Sequence, residues 1–301
     1  MEIICGKDIC GKTVKGLLAE LKISAKTVTA LKKKPDGITV DGEHVTVRHI
    51  LREGEILRLN ISDEQSSQNV VPADLPIEIL FEDDSAVAVN KPPFMPTHPS
   101  HGHYDDTLAN ALCYRMQRDG EPFVFRPVNR LDRNTSGVVL VAKNRVSAAS
   151  LSESLQKGDV GKKYLAILEG VPDEKSGRIE TYVRRREESI IYREVCPESP
   201  DADLALTEYE VIEISNGYSL VCASPITGRT HQLRLHFSHV GCPILGDDLY
   251  GHESDVIARQ ALHAYSLTFP LPASGEEICV RAPLPDDFKE ALLKLGFKYE
   301  Q

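Results

Sequence analysis

The sequence predicts an α+β architecture: a large mixed sheet with a few helices over residues 76–301, preceded by a small α/β unit over 1–61. Three observations lead there. From residue 76 onward, short apolar runs alternate with turns and only occasionally with amphipathic stretches, without the regular βαβ alternation of doubly wound sheets. Residues 1–60 place two amphipathic helices ahead of a hairpin. Between the units, SDEQSSQNVVPADL (62–75) is polar, aperiodic and interrupted by Pro72, the composition of a linker.

In the small unit, Val14, Leu17, Leu18 and Leu21 recur at i, i+3, i+4 and i+7, one apolar helix stripe. Ser24 is placed to cap a second helix, AKTVTALKKK, with Val28 and Leu31 inward and Lys26, Lys32, Lys33 and Lys34 outward. Pro35, Asp36 and Gly37 end it. ITV-DG-EHVTV reads as a hairpin around a tight Asp-Gly turn, and LREGEILRLNI adds a turn and a strand. In the large unit, IEILFED and SAVAVNKPP open a β-hairpin, TLANALCYRMQRDG is a helix ending at Gly120, and VVLVAKN is a near-continuous apolar run suited to a central strand. SAASLSESLQKGDV reads as a helix and KKYLAILEG as a strand. Residues 178–213 read as Arg/Glu-rich strands broken by a loop at CPESPDAD. YSLVCASPI and ALHAYSLTFP are further strands, and DDFKEALLKLGF closes the chain with an amphipathic helix.

Hydrophobic residues make up 41% and charged residues 27%, an ordinary globular balance. No run approaches the roughly 20 apolar residues that span a bilayer, and the first residues lack a signal-peptide pattern, so a cytoplasmic protein is expected. Seven cysteines, at 5, 10, 113, 196, 222, 242 and 279, form no C-x-x-C pair, which argues against a disulfide framework or a cysteine zinc site. The net charge of −10 at first disfavours a polyanionic partner, but charge is unevenly spread. Residues 1–60 carry eleven Lys/Arg against eight Asp/Glu. Residues 122–147 hold five Lys/Arg and a single acid, Asp132, and residues 225–240 hold two arginines, three histidines and no acid. A basic cleft in an acidic body fits this distribution.

Asp132 is the residue that draws chemistry. It sits among Arg126, Arg130 and Arg133, with Thr135-Ser136-Gly137 after it able to form a tight turn and Val138–Val141 anchoring that turn to the core. Nearby guanidinium groups would lower its pKa, and a charged carboxylate serves as nucleophile or base. Taken as bare chemistry, an ordinary loop salt bridge explains the same residues. The histidine groups His98, His101, His103 and His231, His236, His239 have spacings that match no metal motif, even with Asp105, Asp247 or Asp248 recruited. They read as structural or ligand-facing, with no metal site. Asp247 and Tyr250 read as turn and core residues, and Asp83-Asp84 as a solvated turn.

Four segments in order then resemble the RluA-type pseudouridine synthases. NRLDRNTSG (129–137) resembles that family's H-R-L-D-x-x-T-S-G motif. NKPPFMPTHPS (90–100) resembles N-K-P-x-G-x-x-x-H-P, and KKYLAILEG (162–170) resembles K-x-Y-x-A-x-x-x-G. PITGRTHQLRLHFSHVGCPILGDDLYG (225–251) resembles T-G-R-x-H-Q-I-R-x-H…G-x-P-I-x-G-D-x-x-Y-G. Residues 13–60 resemble the alpha-L RNA-binding motif, whose basic second helix lies against RNA phosphates. Two departures stand out: Asn129 replaces the usual His, and Pro93-Phe94 replaces a Pro-Gly pair, which is expected to reshape a loop near the cleft. Asn donates and accepts hydrogen bonds but carries no proton at neutral pH, so position 129 is expected to be structural.

The resemblance implies a pseudouridine synthase fold with a large mixed, mainly antiparallel sheet over 76–301, an alpha-L RNA-binding domain over 1–61, and isomerisation of uridine in RNA. Asp132 is implied as the catalytic aspartate, attacking the ring, attacking the sugar or taking a sugar proton. Arg234 is implied as its ion-pair partner, with Arg229 the alternative. Tyr164 is implied to stack on the base and to assist proton removal at its carbon 5, and Arg130 to fill the gap left by the everted nucleotide. Lys32 and Lys33 would face phosphates. No redox step is implied, so no nicotinamide, flavin or other nucleotide cofactor is expected; nor is a membrane. Large-subunit ribosomal RNA is the expected substrate, transfer RNA the alternative, and the enzyme is expected to be a monomer. Two rivals remain open: a non-catalytic RNA-binding protein, which would not need Asp132 or Tyr164, and a metal-dependent hydrolase, which a chelator would inactivate.

Overall fold

The computed structural model describes residues 1–21, 23, 25–60, 70–118, 120, 123–189 and 191–299. The cap expected at Ser24, the side chain of Lys26 and residues 62–69 of the expected linker lie outside them.

The small unit is built from β1 (Glu2–Ile4), α1 (Val14–Glu20), α2 (Ala25–Leu31), β2 (Ile38–Val40), β3 (Glu43–His44) and β4 (Ile56–Leu59). Thr13 caps α1, its hydroxyl accepting from Gly16 N at 3.1 Å. Val14, Leu17 and Leu18 of the expected stripe are buried, as is Leu31 of α2. Helix α2 stops at Leu31, three residues earlier than the pattern suggests. Gly37 packs so closely on the Leu31 carbonyl that a Cβ would lie 1.9 Å from its oxygen, so the chain turns at Lys32–Lys34. Asp41 (φ 49°) and Gly42 (φ 86°) both take left-handed conformations, as a two-residue hairpin of matching twist requires. Strand β1, which the sequence did not suggest, pairs with β4 to give the order β1-β4-β2-β3.

The large unit continues with β5 (Glu78–Glu82), β6 (Ala86–Lys91), α3 (Leu108–Arg118), β7 (Arg126–Pro127), β8 (Ser136–Ala142), α4 (Arg145–Lys157), β9 (Gly161–Glu169), β10 (Ser176–Arg185) and β11 (Arg193–Cys196). It ends with β12 (Asp203–Ser215), β13 (Tyr218–Pro225), α5 (Gln232–His239), β14 (Leu262–Pro270), β15 (Glu277–Arg281) and α6 (Asp286–Lys294). These strands form an eleven-stranded sheet in the order β11-β10-β12-β13-β9-β14-β8-β6-β5, with β15 beside β14 and β7 beside β8. Pairing is antiparallel except between β14 and β8. The architecture is therefore α+β with a mixed, mainly antiparallel sheet, as the sequence predicts. The Asp83-Asp84 pair belongs to the β5–β6 turn, where Asp83 Oδ1 accepts from Ser85 N and Ala86 N.

Strand β8 carries apolar side chains on both faces, which is why its sequence lacks alternation. Val139 and Val141 pack with Leu108, Leu112 and Met116 of α3, while Val138, Leu140 and Ala142 pack with Leu151 of α4. Asn144 caps α4, its side-chain oxygen accepting from Val146 N and Ser147 N. Where β8 begins, it meets β14 too closely for any side chain: a Cβ on Gly137 (φ 114°) would lie 2.2 Å from Ala264 O. That contact fixes the loop preceding β8.

Two buried histidines brace this centre. His263 of β14 bonds Ser136 Oγ (2.9 Å) and Ala282 O (3.2 Å); His236 of α5 bonds Thr207 Oγ1 (2.9 Å) and Thr181 Oγ1 (3.0 Å). Burial pushes both down to about 4. The folded state thus binds fewer protons than the unfolded chain between their folded pKa of about 4 and the ordinary 6.5. Stability is present above that window and is lost as pH falls through it, up to about 3 kcal/mol per histidine. Urea unfolding followed from neutral pH to about pH 4.5 checks this; the expected slope shrinks in a His263→Gln variant, and a flat profile would contradict it.

Candidate active site

Asp132 lies in the loop between β7 and β8, and its own backbone closes the turn: Thr135 N donates to Asp132 O at 3.1 Å. The turn thus falls at Asp132–Thr135, earlier than the Thr135-Ser136-Gly137 turn expected. Side chains from distant elements hold the loop's backbone. Thr97 Oγ1 donates to Leu131 O (2.9 Å), and Arg259 Nη1 donates to Asn134 O (3.0 Å). Arg259 is itself buried and gripped by both oxygens of Asp287 in α6, at 2.6 and 2.9 Å. Asn129 donates to Val138 O (3.0 Å) and accepts from Leu140 N (2.8 Å), a purely structural bridge that needs no titrating group.

Lys91, fully buried at the end of β6, has three ammonium donors and uses them on three carbonyls: Pro92 O (2.9 Å), Met95 O (2.8 Å) and Arg133 O (3.0 Å). Burial and then the charge of Arg259 push its pKa down to about 7, against the opposing charge of Asp132. This lysine ties the 92–96 loop to the Asp132 loop.

The cation beside Asp132 comes from far along the chain. Arg234 of α5 donates from Nη1 to Asp132 Oδ2 at 3.3 Å. Its Nε and Nη2 donate to Asp247 Oδ2 (2.7 Å) and Oδ1 (2.6 Å), a bidentate pair, and Nη2 also reaches Asp248 Oδ1 at 3.4 Å. The Arg234 side chain is 5% exposed and that of Asp247 0%, whereas Asp132 keeps 29% of its surface open. Burial alone would disfavour the guanidinium's charge; the hydrogen bonds and charge of Asp247, then Asp132, reverse that and raise its pKa. Asp247 also accepts from Leu249 N and Tyr250 N, so one carboxylate caps a turn and aims an arginine.

This arrangement corrects two sequence expectations. The arginines next to Asp132 in the chain are not shown pairing with it. Arg130 is exposed, Arg133 is exposed and donates to Phe94 O (3.3 Å), and Arg126 donates to Val124 O (3.1 Å). Arg229, the alternative partner, instead pairs with Asp203 (3.1 Å) and donates to Leu204 O. Asp247 and Tyr250 are more than turn and core residues. The Tyr250 ring lies 5.5 Å from the Arg234 guanidinium carbon, and its hydroxyl joins Arg193 N (2.9 Å) to His231 Nδ1 (3.0 Å). His231, held at φ 57° just before α5, presents Nε2 to Asp132 Oδ2 at 3.9 Å. Burial lowers its pKa more than Asp132 raises it.

Tyr164 of β9 is half-buried against the clusters that contain Leu131 and Leu165. Burial first, and then the charge of Asp132, push its hydroxyl pKa up. Lys32 and Lys33 are exposed on the small unit just after α2. His98 meets Phe125 edge-on and His103 pairs with Asp106. Among the described residues, no group of three or more His, Cys, Asp or Glu is arranged to hold a metal ion.

Known proteins share this fold. The human RNA pseudouridylate synthase domain containing 1 superposes with a TM-score of 0.59 at 31% identity, covering 70% of this chain and 84% of that one. The human domain containing 4 gives 0.59 at 28% identity, covering 72% and 92%. The fold is that of the pseudouridylate synthase domains. A family model described as RNA pseudouridylate synthase matches residues 85–239, which include the Asp132 loop, Tyr164 and Arg234. An uncharacterized RNA pseudouridine synthase of Bacillus subtilis, YjbO, is 36% identical over 93% of this chain and 98% of its own length. Ribosomal large subunit pseudouridine synthase D of Xanthomonas campestris is 33% identical over 95% of this chain and 89% of its own. The chain belongs to the RNA pseudouridylate synthase family, as an RluA/RluD-like isomerase acting on RNA.

Proposed function

We propose that this enzyme converts uridine to pseudouridine in large-subunit ribosomal RNA, with Asp132 as the group that acts on the target nucleotide. The observation that carries this is the Asp132–Arg234–Asp247 chain: an open carboxylate steadied by a guanidinium that a fully buried carboxylate holds from behind. The ribosomal assignment rests on relatives from three organisms that bear the name ribosomal large subunit pseudouridine synthase D.

In the reaction the bond from the sugar to ring N1 breaks, the uracil turns, and the sugar rejoins through C5, which loses its proton as N1 gains one. No electrons are gained or lost. A base inside an RNA stack must be everted first, at a cost of a few kcal/mol. Phosphate contacts offset that cost and set the register. In this reading exposed Arg130 occupies the vacated stack and exposed Lys32 and Lys33 hold phosphates, the small unit acting as an RNA-binding domain over residues 1–61. Tyr164 forms the floor under the uracil, worth roughly 1–3 kcal/mol by stacking. Its hydroxyl, whose pKa burial raises, is a protonated phenol beside the ring, able to donate a hydrogen bond and to assist as the C5 proton leaves. Arg234 balances the charge of Asp132 while its Nε and Nη2 are held by Asp247 and Asp248. The enzyme acts as a cytoplasmic monomer.

Mapping pseudouridine in total RNA from a strain lacking this protein tests the reading. Loss of one or more positions in large-subunit ribosomal RNA is expected. Loss confined to transfer RNA would move the substrate, and no loss in either would overturn the assignment.

A further inference from the structure

We infer that Phe94 is an RNA-stacking residue that holds an unpaired base flanking the target uridine, an inference that rests on the reading above. Three observations on one short loop lead to it. Phe94 takes φ 65°, a left-handed backbone that glycine adopts freely and a bulky residue rarely does. Its side chain gives the fold little in return: Phe94 is 47% exposed and belongs to none of the apolar clusters among the described residues. The loop that carries it is nevertheless fixed against the active site. Arg133, next to Asp132 in the chain, donates from Nε to Phe94 O (3.3 Å), and Lys91 bonds Met95 O and Arg133 O together.

A strained backbone that presents an aromatic ring to solvent from a rigid mount is the arrangement a stacking platform needs. Arg133, exposed and bonded to the same loop, supplies charge for phosphates. Single-stranded RNA offers splayed bases whose faces stack on aromatic rings without regard to sequence. Phe94 takes a backbone conformation open to glycine and adds a ring to it.

The test compares the full-length wild type with Phe94→Gly, Phe94→Ala and Phe94→Trp. Phe94→Gly removes the backbone strain, so it is expected to unfold no earlier than wild type and separates folding from binding. On a large-subunit ribosomal RNA transcript, the glycine and alanine variants are expected to raise KM by about five- to a hundredfold with kcat little changed, and tryptophan to restore it. A single-stranded RNA carrying 2-aminopurine beside a uridine gives an independent reading. Wild type and Phe94→Trp quench its fluorescence, and Phe94→Gly does not. Equal KM and equal quenching in all four proteins would overturn the inference. The quenching arm is read with no turnover, so a wrong ribosomal substrate would leave it standing as a separate result.

Discussion

Asp132→Ala is expected to reduce pseudouridine formation by at least about a thousandfold, the scale seen when the group that performs a reaction is removed. RNA binding should be retained, because affinity comes chiefly from phosphate contacts that Asp132 does not make. The fold should also survive. Asp132 is 29% exposed and its link to Arg234 is a single 3.3 Å contact, so losing it costs about 1 kcal/mol or less. Arg234 keeps both oxygens of Asp247. The result separates an enzyme from a non-catalytic RNA-binding protein, in which the same change would leave the biological activity intact.

Asp247→Ala is expected to act on stability and turnover together. Asp247 is fully buried and accepts four hydrogen bonds, two from Arg234 and two from the backbone of Leu249 and Tyr250. Removing it strands a guanidinium that is itself 5% exposed. Breaking such a pair from one side costs about 3–5 kcal/mol. Asp247→Asn separates the two effects. Its amide oxygen can still cap the turn, so part of the stability should return, while the carboxylate that aims Arg234 is gone. Turnover should then fall with KM for RNA unchanged. Unchanged turnover in Asp247→Asn would show that Asp247 supports the fold alone.

Much of this was legible in the sequence, and the exceptions have physical reasons. Strands β5, β6, β8, β9, β13 and β14 and helices α1, α3, α4 and α6 announce themselves by periodicity, because each buries one face or a continuous apolar run. Helix α5 does not. Leu233, Leu235 and Phe237 alternate with the period of a strand, yet Gln232, Arg234 and His236 between them are buried too, each on a polar partner. A helix buried all round has no polar face to reveal its period. Asp132 and Arg234 could be named from motifs, but their separation of 102 residues hides the pairing from any local reading. The cluster of arginines beside Asp132 was misleading for the same reason: neighbours in the chain diverge where the loop turns. Asp247 carried a signal in the G-D-x-x-Y-G pattern, whose aspartate is needed both by the turn and by the arginine. Lys91 belongs to the N-K-P segment, but its role was hidden, and Arg259 gave no signal, since both hold carbonyls that the fold alone brings together.

Isomerisation of an RNA uridine from position 132 would free the hydrogen at C5. Release of tritium from RNA made with uridine labelled at C5 measures it directly, because the new bond from the sugar displaces the hydrogen at that carbon. The wild-type protein is expected to release tritium from ribosomal RNA, and Asp132→Asn, bound to the same RNA with similar affinity, to release none. Release by the variant at the wild-type rate, or none from the wild type on either ribosomal or transfer RNA, would contradict it.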